Sequence, residues 1–248
     1  MSAPTIEVRN VSKSFGGVIA NTDISLDVPQ GKITGLIGPN GSGKTTLFNS
    51  IVGYHPIDSG SIRFQSKEIS KLRVQQIARL GMLRTFQQTR IYSDMDCVKN
   101  MLISVPHRNA KFFDMFRKYP TNLTEKAEHL LEFVGLYQKR YLIAGDLSFG
   151  QQKLLEFAMA LMNEPTVLLL DEPTAGINPT LINGLIDRLK RANEEFGITL
   201  FVIEHNMRVI MNLAESIYCL AHGELLANGT PDEVQNDQRV IDAYLGAH

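Results

Sequence analysis

Gly38-Pro39-Asn40-Gly41-Ser42-Gly43-Lys44-Thr45-Thr46 decides how this chain is read. The stretch fits the phosphate-loop pattern G-x-x-x-x-G-K-[ST], and its flanks supply the strand–turn–helix context such a loop needs. Upstream, Lys32-Ile33-Thr34-Gly35-Leu36-Ile37 is a short apolar run that reads as a buried strand. Downstream, Leu47, Ile51 and Val52 recur at helical spacing and stop at Gly53. The glycines let the backbone turn its N–H groups inward around phosphate oxygens, and the helix N-terminus adds its positive end. Lys44 is expected to reach the β- and γ-phosphates of a nucleotide, and the Thr45 hydroxyl to hold Mg2+. A glycine-rich turn arising by chance is the bland alternative, and the strand before it and helix after it weigh against that.

The 248 residues suffice for a large core, as one domain or one domain with a subdomain. A formal charge of −1 gives no global reason to expect nucleic acid or an acidic partner, and the local cluster Lys111, Arg117, Lys118 reads as a solvated helical face ahead of a contact point. The two cysteines, Cys97 and Cys219, make neither a disulfide framework nor a metal site, which suits a reducing cytosol. The longest apolar runs, Val167 to Leu170 and Ile198 to Ile203, are strand-sized rather than membrane-spanning, and no signal peptide is visible. A soluble cytosolic chain is expected, with any membrane role supplied through a partner.

Around the loop the pattern is mixed. Ile6 to Val11 and Ile24 to Val28 alternate apolar and polar residues and read as half-exposed antiparallel strands, with Phe15-Gly16-Gly17 between them. A further strand is expected from Ser61 to Phe64, then a helix carrying Ile77 and Leu80 and ending at Gly81. From about Thr89 to Asp146 no strand signal stands out, and the clearest element is a helix from Asn122 to Leu136, with Asn122 and Glu125 as its capping pattern. Alternation of helix and strand then resumes. A helix is expected over Phe149 to Met162, buried strands at Val167 to Leu170 and Ile198 to Ile203, and a helix from Pro179 that turns Leu181, Leu185, Leu189 and Ala192 inward. Another helix carries Met207, Ile210, Met211 and Ala214, a hairpin turns at His222-Gly223, and Thr230-Pro231-Asp232-Glu233 is a capping box.

Chemistry gathers at strand ends. Asp171-Glu172 closes the all-aliphatic strand, where α/β folds bind ligands. Asp171 is suited to hold Mg2+, and Glu172 to polarise a water for attack on a γ-phosphate. Ser148 alone reads as a helix N-cap and Gly150 as an early-turn residue. Ahead of the acidic strand, however, Leu147-Ser148-Phe149-Gly150-Gln151 offers a second phosphate-binding surface, and one chain does not need two for one γ-phosphate. The second surface would therefore serve a partner's nucleotide.

Taken together, the motifs resemble those of an ATP-binding cassette, the nucleotide-binding subunit of an ABC transporter, in order over nearly the whole chain. Gly38 to Thr45 matches Walker A, Leu147 to Gln151 the signature and Val167 to Glu172 Walker B. Gln87 matches the Q-loop, His205 the switch histidine, and Phe15 the aromatic that stacks on adenine. The resemblance implies an α/β fold: a RecA-like P-loop core with an antiparallel β subdomain (residues 1–88 and 147–248) and an inserted α-helical subdomain (89–146). It implies ATP and Mg2+ as cofactors. Glu172, His205 and Gln87 would be catalytic, Thr45, Gln87 and Asp171 would lie around the metal, and Phe15, Gly38 to Thr46, Ser148, Gly150 and Gln151 would contact nucleotide. Two positions depart from the common pattern: Phe149 stands where glycine is usual, and Asn178 where most cassettes carry aspartate.

Those departures, with Arg84-Thr85-Phe86-Gln87, Glu204-His205-Asn206-Met207 and the ending Ala243-Tyr244-Leu245-Gly246, look like the branched-chain (hydrophobic) amino acid uptake cassettes. Such a resemblance implies a head-to-tail pair of cassettes on the cytoplasmic face of the plasma membrane. Beneath two membrane-spanning permease subunits, this pair would work with an extracytoplasmic solute-binding protein. Phe112, Phe113, Met115 and Phe116 would either form part of the docking groove for the membrane partner or pack internally. Cassettes of urea importers and lipopolysaccharide exporters share much of the pattern. DNA-repair cassettes would need a long coiled-coil insertion, translation-associated ones two cassettes in one chain, and a phosphate-loop kinase would leave Leu147 to Gln151 and His205 unexplained.

Overall fold

The computed structural model describes residues 4–85, 91–105 and 121–245. The chain begins with two long antiparallel strands, β1 (Pro4–Phe15) and β2 (Val18–Pro29), followed by β3 (Ile33–Ile37) and α1 (Lys44–Ile51). Then come β4 (Ser59–Phe64), β5 (Lys67–Glu68), α2 (Val74–Arg79), β6 (Met82–Arg84), α3 (Cys97–Ile103), α4 (Thr121–Phe133) and α5 (Phe149–Leu161). The remainder is β7 (Val167–Asp171), α6 (Pro179–Phe196), β8 (Thr199–Ile203), α7 (Met207–Leu213), β9 (Ser216–Ala221), β10 (Glu224–Gly229), α8 (Pro231–Gln235) and α9 (Gln238–Leu245).

Two compact units emerge, one of residues 1–84, 166–174 and 189–248, the other of 85–165 and 175–188. The first holds both sheets. One is four-stranded, in the order β2-β1-β4-β5, and antiparallel; the other is six-stranded, in the order β10-β9-β3-β8-β7-β6. Within the larger sheet β9, β3, β8, β7 and β6 run parallel, and β10 pairs antiparallel on the edge. Every residue of β3, β7 and β8 is buried, as continuous apolar runs flanked by helices must be. One apolar cluster joins the sheets: Ile6, Val8 and Leu26 from the small sheet meet Leu36, Leu169 and Phe201 from the large one, with Leu47, Phe48 and Ile51 of α1 among them. This burial anchors the helix that follows the phosphate loop.

In the second unit α3, α4 and α5 pack together around Met101, Leu131, Leu155 and Ala158, all fully buried. Helix α4 starts at Thr121, so Asn122 lies inside it rather than at its cap. Leu181 of α6, expected inward, is 50 % exposed, whereas Leu185, Leu189 and Ala192 are buried as their spacing predicts. Along α7, Ile210 and the adjoining Ala214 are buried as expected, but Val209 and Leu213 complete the buried face in place of Met207 and Met211, which are half-buried. The hairpin turn falls at His222 and Gly223, both with positive φ, and Thr230 with Glu233 forms the expected capping box. Among the described residues, no helix is long and apolar enough to cross a membrane.

Candidate nucleotide-binding site

β3 delivers the chain to Gly38 and α1 takes it away at Lys44, so the loop between them is held at both ends by buried elements. Two of its glycines are dictated by contact. A Cβ on Gly38 would lie 2.1 Å from the carbonyl oxygen of Leu220, and one on Gly43 would lie 2.2 Å from that of Ala20. Both also have positive φ, where an L side chain is strained. Gly43 is the N-cap of α1 and contributes no side-chain hydrogen bond, and the first turn carries no acid. The N–H groups at the start of α1 therefore lack a side-chain acceptor, the arrangement that favours an anion.

Lys44 is buried, and its Nζ donates to the carbonyls of Gly38 at 2.8 Å and Pro39 at 2.9 Å, and to Ser42 Oγ at 3.4 Å. Burial pulls its ammonium below the usual lysine range, while Glu172 and Asp171 draw it back upward. Loop carbonyls thus satisfy the lysine where phosphate oxygens could replace them. Asn21 braces the loop from β2, its Nδ2 donating to Gly43 O at 3.2 Å.

Asp171 ends β7 beside Ile203 of β8, so the acidic pair and His205 leave the sheet from adjacent parallel strands. Asp171 is 3 % exposed, and its Oδ2 accepts Arg84 Nη2 at 2.5 Å. Glu172 takes φ +50°, a left-handed conformation uncommon for a non-glycine residue, fixed in part by its N–H donating to Ile203 O at 3.0 Å. His205 Nε2 lies 2.5 Å from Glu172 Oε1, with the histidine 37 % and the glutamate 16 % exposed at their side chains. Beneath this pair, Glu204 Oε1 accepts the N–H and the hydroxyl of Thr174 at 2.9 and 2.7 Å, all in the interior.

Phosphate loop, acidic strand end and His205 thus converge within the first unit. A profile described as ABC transporter matches residues 21–175 of this chain. The chain belongs to the ABC transporter family. It is an ATP-hydrolysing cassette with the RecA-like α/β fold. A second profile, branched-chain amino acid ATP-binding cassette transporter, matches residues 224–248. The cassette is 38 % identical over 253 residues to the high-affinity branched-chain amino acid transport ATP-binding protein BraF of Pseudomonas aeruginosa, covering 99 % of each chain. To LivG of Escherichia coli K12, which carries the same description, it is 35 % identical over 254 residues, again covering 99 % of each. Among solved structures, the ADP conformation of an ATP-binding cassette of an ABC transporter aligns with TM-score 0.89 and 31 % identity, covering 99 % of this chain and 100 % of that one.

Leu147 to Gln151, the stretch expected to be the signature, lies in the second unit. Ser148 caps α5: its Oγ accepts the Gln151 N–H at 3.4 Å, and Gln151 Oε1 accepts the Ser148 N–H at 3.1 Å. Gly150 is buried beside Leu181 and Ile177, whereas Phe149 is 46 % exposed. Asn178 Oδ1 accepts the N–H and hydroxyl of Thr180 at 3.1 and 2.9 Å, the capping role that an aspartate would also fill. Phe15 is 43 % exposed, its ring edge-to-face with His55 at 5.1 Å and under Lys13 Nζ at 5.1 Å. Gln87 lies outside the described residues, as do Phe112, Phe113, Met115 and Phe116.

Three residues at the nucleotide site have no single-site signal in the sequence: Arg84, Asn49 and Tyr244. Arg84 Nη1 donates to Asn49 Oδ1 at 2.5 Å, and the Tyr244 hydroxyl accepts the Gly38 N–H at 2.8 Å. Arg84 pairs with Asp171, Asn49 holds Arg84, and Tyr244 holds the entry to the phosphate loop.

Proposed function

We propose that this cassette powers the import of branched-chain or other hydrophobic amino acids by binding and hydrolysing ATP. The observation that carries the substrate class is the match of residues 224–248 to the branched-chain profile, joined to identity along the whole of BraF and LivG. In this reading the subunit sits on the cytoplasmic face of the plasma membrane against two permease subunits, pairs head-to-tail with a second cassette, and serves a system fed by an extracytoplasmic binding protein.

The chemistry assigned to the site follows from charge and hydrogen bonding. Lys44 and the open N–H groups of α1 bind and orient the β- and γ-phosphates. Thr45, Asp171 and Gln87 would hold Mg2+ beside the nucleotide, three oxygen donors that suit a hard cation once phosphate oxygens complete the set. When bound, Mg2+ neutralises charge that develops on the phosphate oxygens. Glu172 accepts a proton from the attacking water, and His205, its Nε2 2.5 Å from the carboxylate, holds that base in place. Phe15 stacks on the adenine. Ser148, Gly150 and Gln151 contact the γ-phosphate bound by the partner cassette, so ATP joins the two subunits and its hydrolysis lets them part. Gln87 and the 89–146 segment carry that change to the permease.

Reconstitution with the permeases and binding protein tests the proposal. ATP-dependent uptake of leucine is expected, with urea excluded. Uptake of urea in preference to leucine, or ATP-driven movement of lipid only, would reject the amino acid assignment.

A further inference from the structure

We infer that Arg84 is the resident counter-ion of Asp171 and weakens divalent-cation binding at that carboxylate while no nucleotide is bound. The inference rests on Asp171 being the metal-holding carboxylate of the proposed function.

Arg84 ends the edge strand β6, in register with Leu169 of β7, two residues before Asp171. Its guanidinium is clamped from two sides. Nη2 meets Asp171 Oδ2 at 2.5 Å, Nη1 donates to Asn49 Oδ1 at 2.5 Å, and the group lies 5.8 Å over the Phe48 ring. The side chains are 7 % and 3 % exposed, so this is an ion pair of the interior. A carboxylate left unpaired at such depth is costly, and Arg84 supplies the missing charge when no metal is present.

Arg84 also sets the charge that an arriving cation meets. The Asp171 carboxylate is met by the Arg84 guanidinium at 2.5 Å, and the Lys44 ammonium, which interacts with both Asp171 and Glu172, adds a second positive charge nearby. Among the described residues, no cluster of three or more histidine, cysteine or acidic side chains could hold a metal. A divalent ion approaching Asp171 therefore finds few oxygen ligands and a fixed positive charge already on the carboxylate. Nucleotide phosphates bring both oxygens and surplus negative charge, and with them binding becomes favourable. Arg84 in this way prevents the empty cassette from loading metal alone, and it does so as a positioning residue that need not touch nucleotide.

The test measures Mn2+ binding to the full-length protein by electron paramagnetic resonance, with no nucleotide and then with ADP. Arg84→Gln is expected to bind Mn2+ without nucleotide at least about tenfold more tightly than wild type, because a like charge close to the site is gone. In chelator the variant should melt at a lower temperature than wild type, and Mn2+ should restore part of the loss. Adding Asp171→Asn to that variant should abolish the gain. Mn2+ affinity in Arg84→Gln no tighter than wild type, or a gain that survives Asp171→Asn, overturns the inference. Should Arg84→Gln not fold, Arg84→Met takes its place under the same two criteria, and wild type that binds Mn2+ equally well with and without ADP overturns the inference outright. The underlying metal assignment fails separately, if Asp171→Asn alone leaves the ADP-dependent Mn2+ binding intact.

Discussion

The hydroxyl of Tyr244, on the last helix, accepts the backbone N–H of Gly38, the first residue of the phosphate loop, at 2.8 Å. Gly38 is buried, so this amide depends on the tyrosine for its hydrogen bond. Burial pushes the phenol up to about 12, which keeps it protonated across neutral pH. Tyr244→Phe strands the amide at a cost of about 1–3 kcal/mol. We expect urea unfolding to register that loss. Nucleotide affinity should weaken by roughly fivefold if about 1 kcal/mol of loop order is lost. Unchanged affinity together with unchanged stability would show that water replaces the hydroxyl without penalty.

Glu172 and His205 invite a separation of binding from chemistry. Glu172→Gln keeps the shape of the side chain and removes its capacity to accept a proton. ATP affinity should stay near wild type, while hydrolysis falls by about 10²–10⁴, the usual worth of general-base help. His205→Ala leaves the carboxylate present but untethered, and a smaller drop is expected. Steady-state hydrolysis and equilibrium nucleotide binding distinguish the two, and hydrolysis at the wild-type rate in Glu172→Gln would remove it as the base.

What the sequence made legible follows from how local the causes are. The phosphate loop, the buried strands β3, β7 and β8 and the Thr230–Glu233 capping box are written in contiguous residues, and all lie where their patterns predict. β6 is different: its three residues, Met82 to Arg84, become a strand only by pairing with β7, more than eighty positions away in the chain. β1 and β2 run well beyond their alternating cores, because pairing with each other extends them through polar residues such as Lys13 and Asn21. The bond from Tyr244 to Gly38 spans 206 positions, so no local pattern could disclose it. Arg84 belongs to the contiguous stretch Arg84-Thr85-Phe86-Gln87, but its partner Asp171 stands 87 residues on.

Part of the acid sensitivity should come from the end of β1. Asp58 is held down to about 2 from an ordinary 3.8, first by the Lys13 ammonium that donates to it and then by the hydroxyl and N–H of Ser14. A carboxylate whose value is lower in the folded state contributes stability that is fully present above its unfolded value and is lost as pH falls through the folded one. The loss from this group therefore runs between about pH 4 and pH 2. Asp58→Asn should be less stable than wild type at neutral pH, with the two converging toward pH 2. Thermal melts at half-unit steps would show it, and parallel curves would refute it. Because Lys13 and Ser14 adjoin Phe15, adenine affinity should weaken in the same variant.

Glu204 and Thr174 form the rigid base beneath the Glu172–His205 pair. Thr174 stands two residues after Glu172, and Glu204 directly precedes His205, so the bonds between them fix the separation of the strand ends that carry the reacting groups. Thr174→Val conserves shape and the backbone bond, and deletes only the hydroxyl bond of 2.7 Å to a buried carboxylate. A hydrogen bond of that kind is worth about 1.5–3 kcal/mol, which urea unfolding would read directly. The kinetic consequence separates alignment from mere stability. If Glu204 and Thr174 set the approach of His205 to Glu172, kcat should fall while KM for ATP stays near wild type, since Lys44 and the loop that bind phosphate are untouched. Thr174→Ser, which restores the hydroxyl, should recover both stability and kcat. A valine variant destabilised to the same degree but with unaltered kcat would confine this contact to the fold.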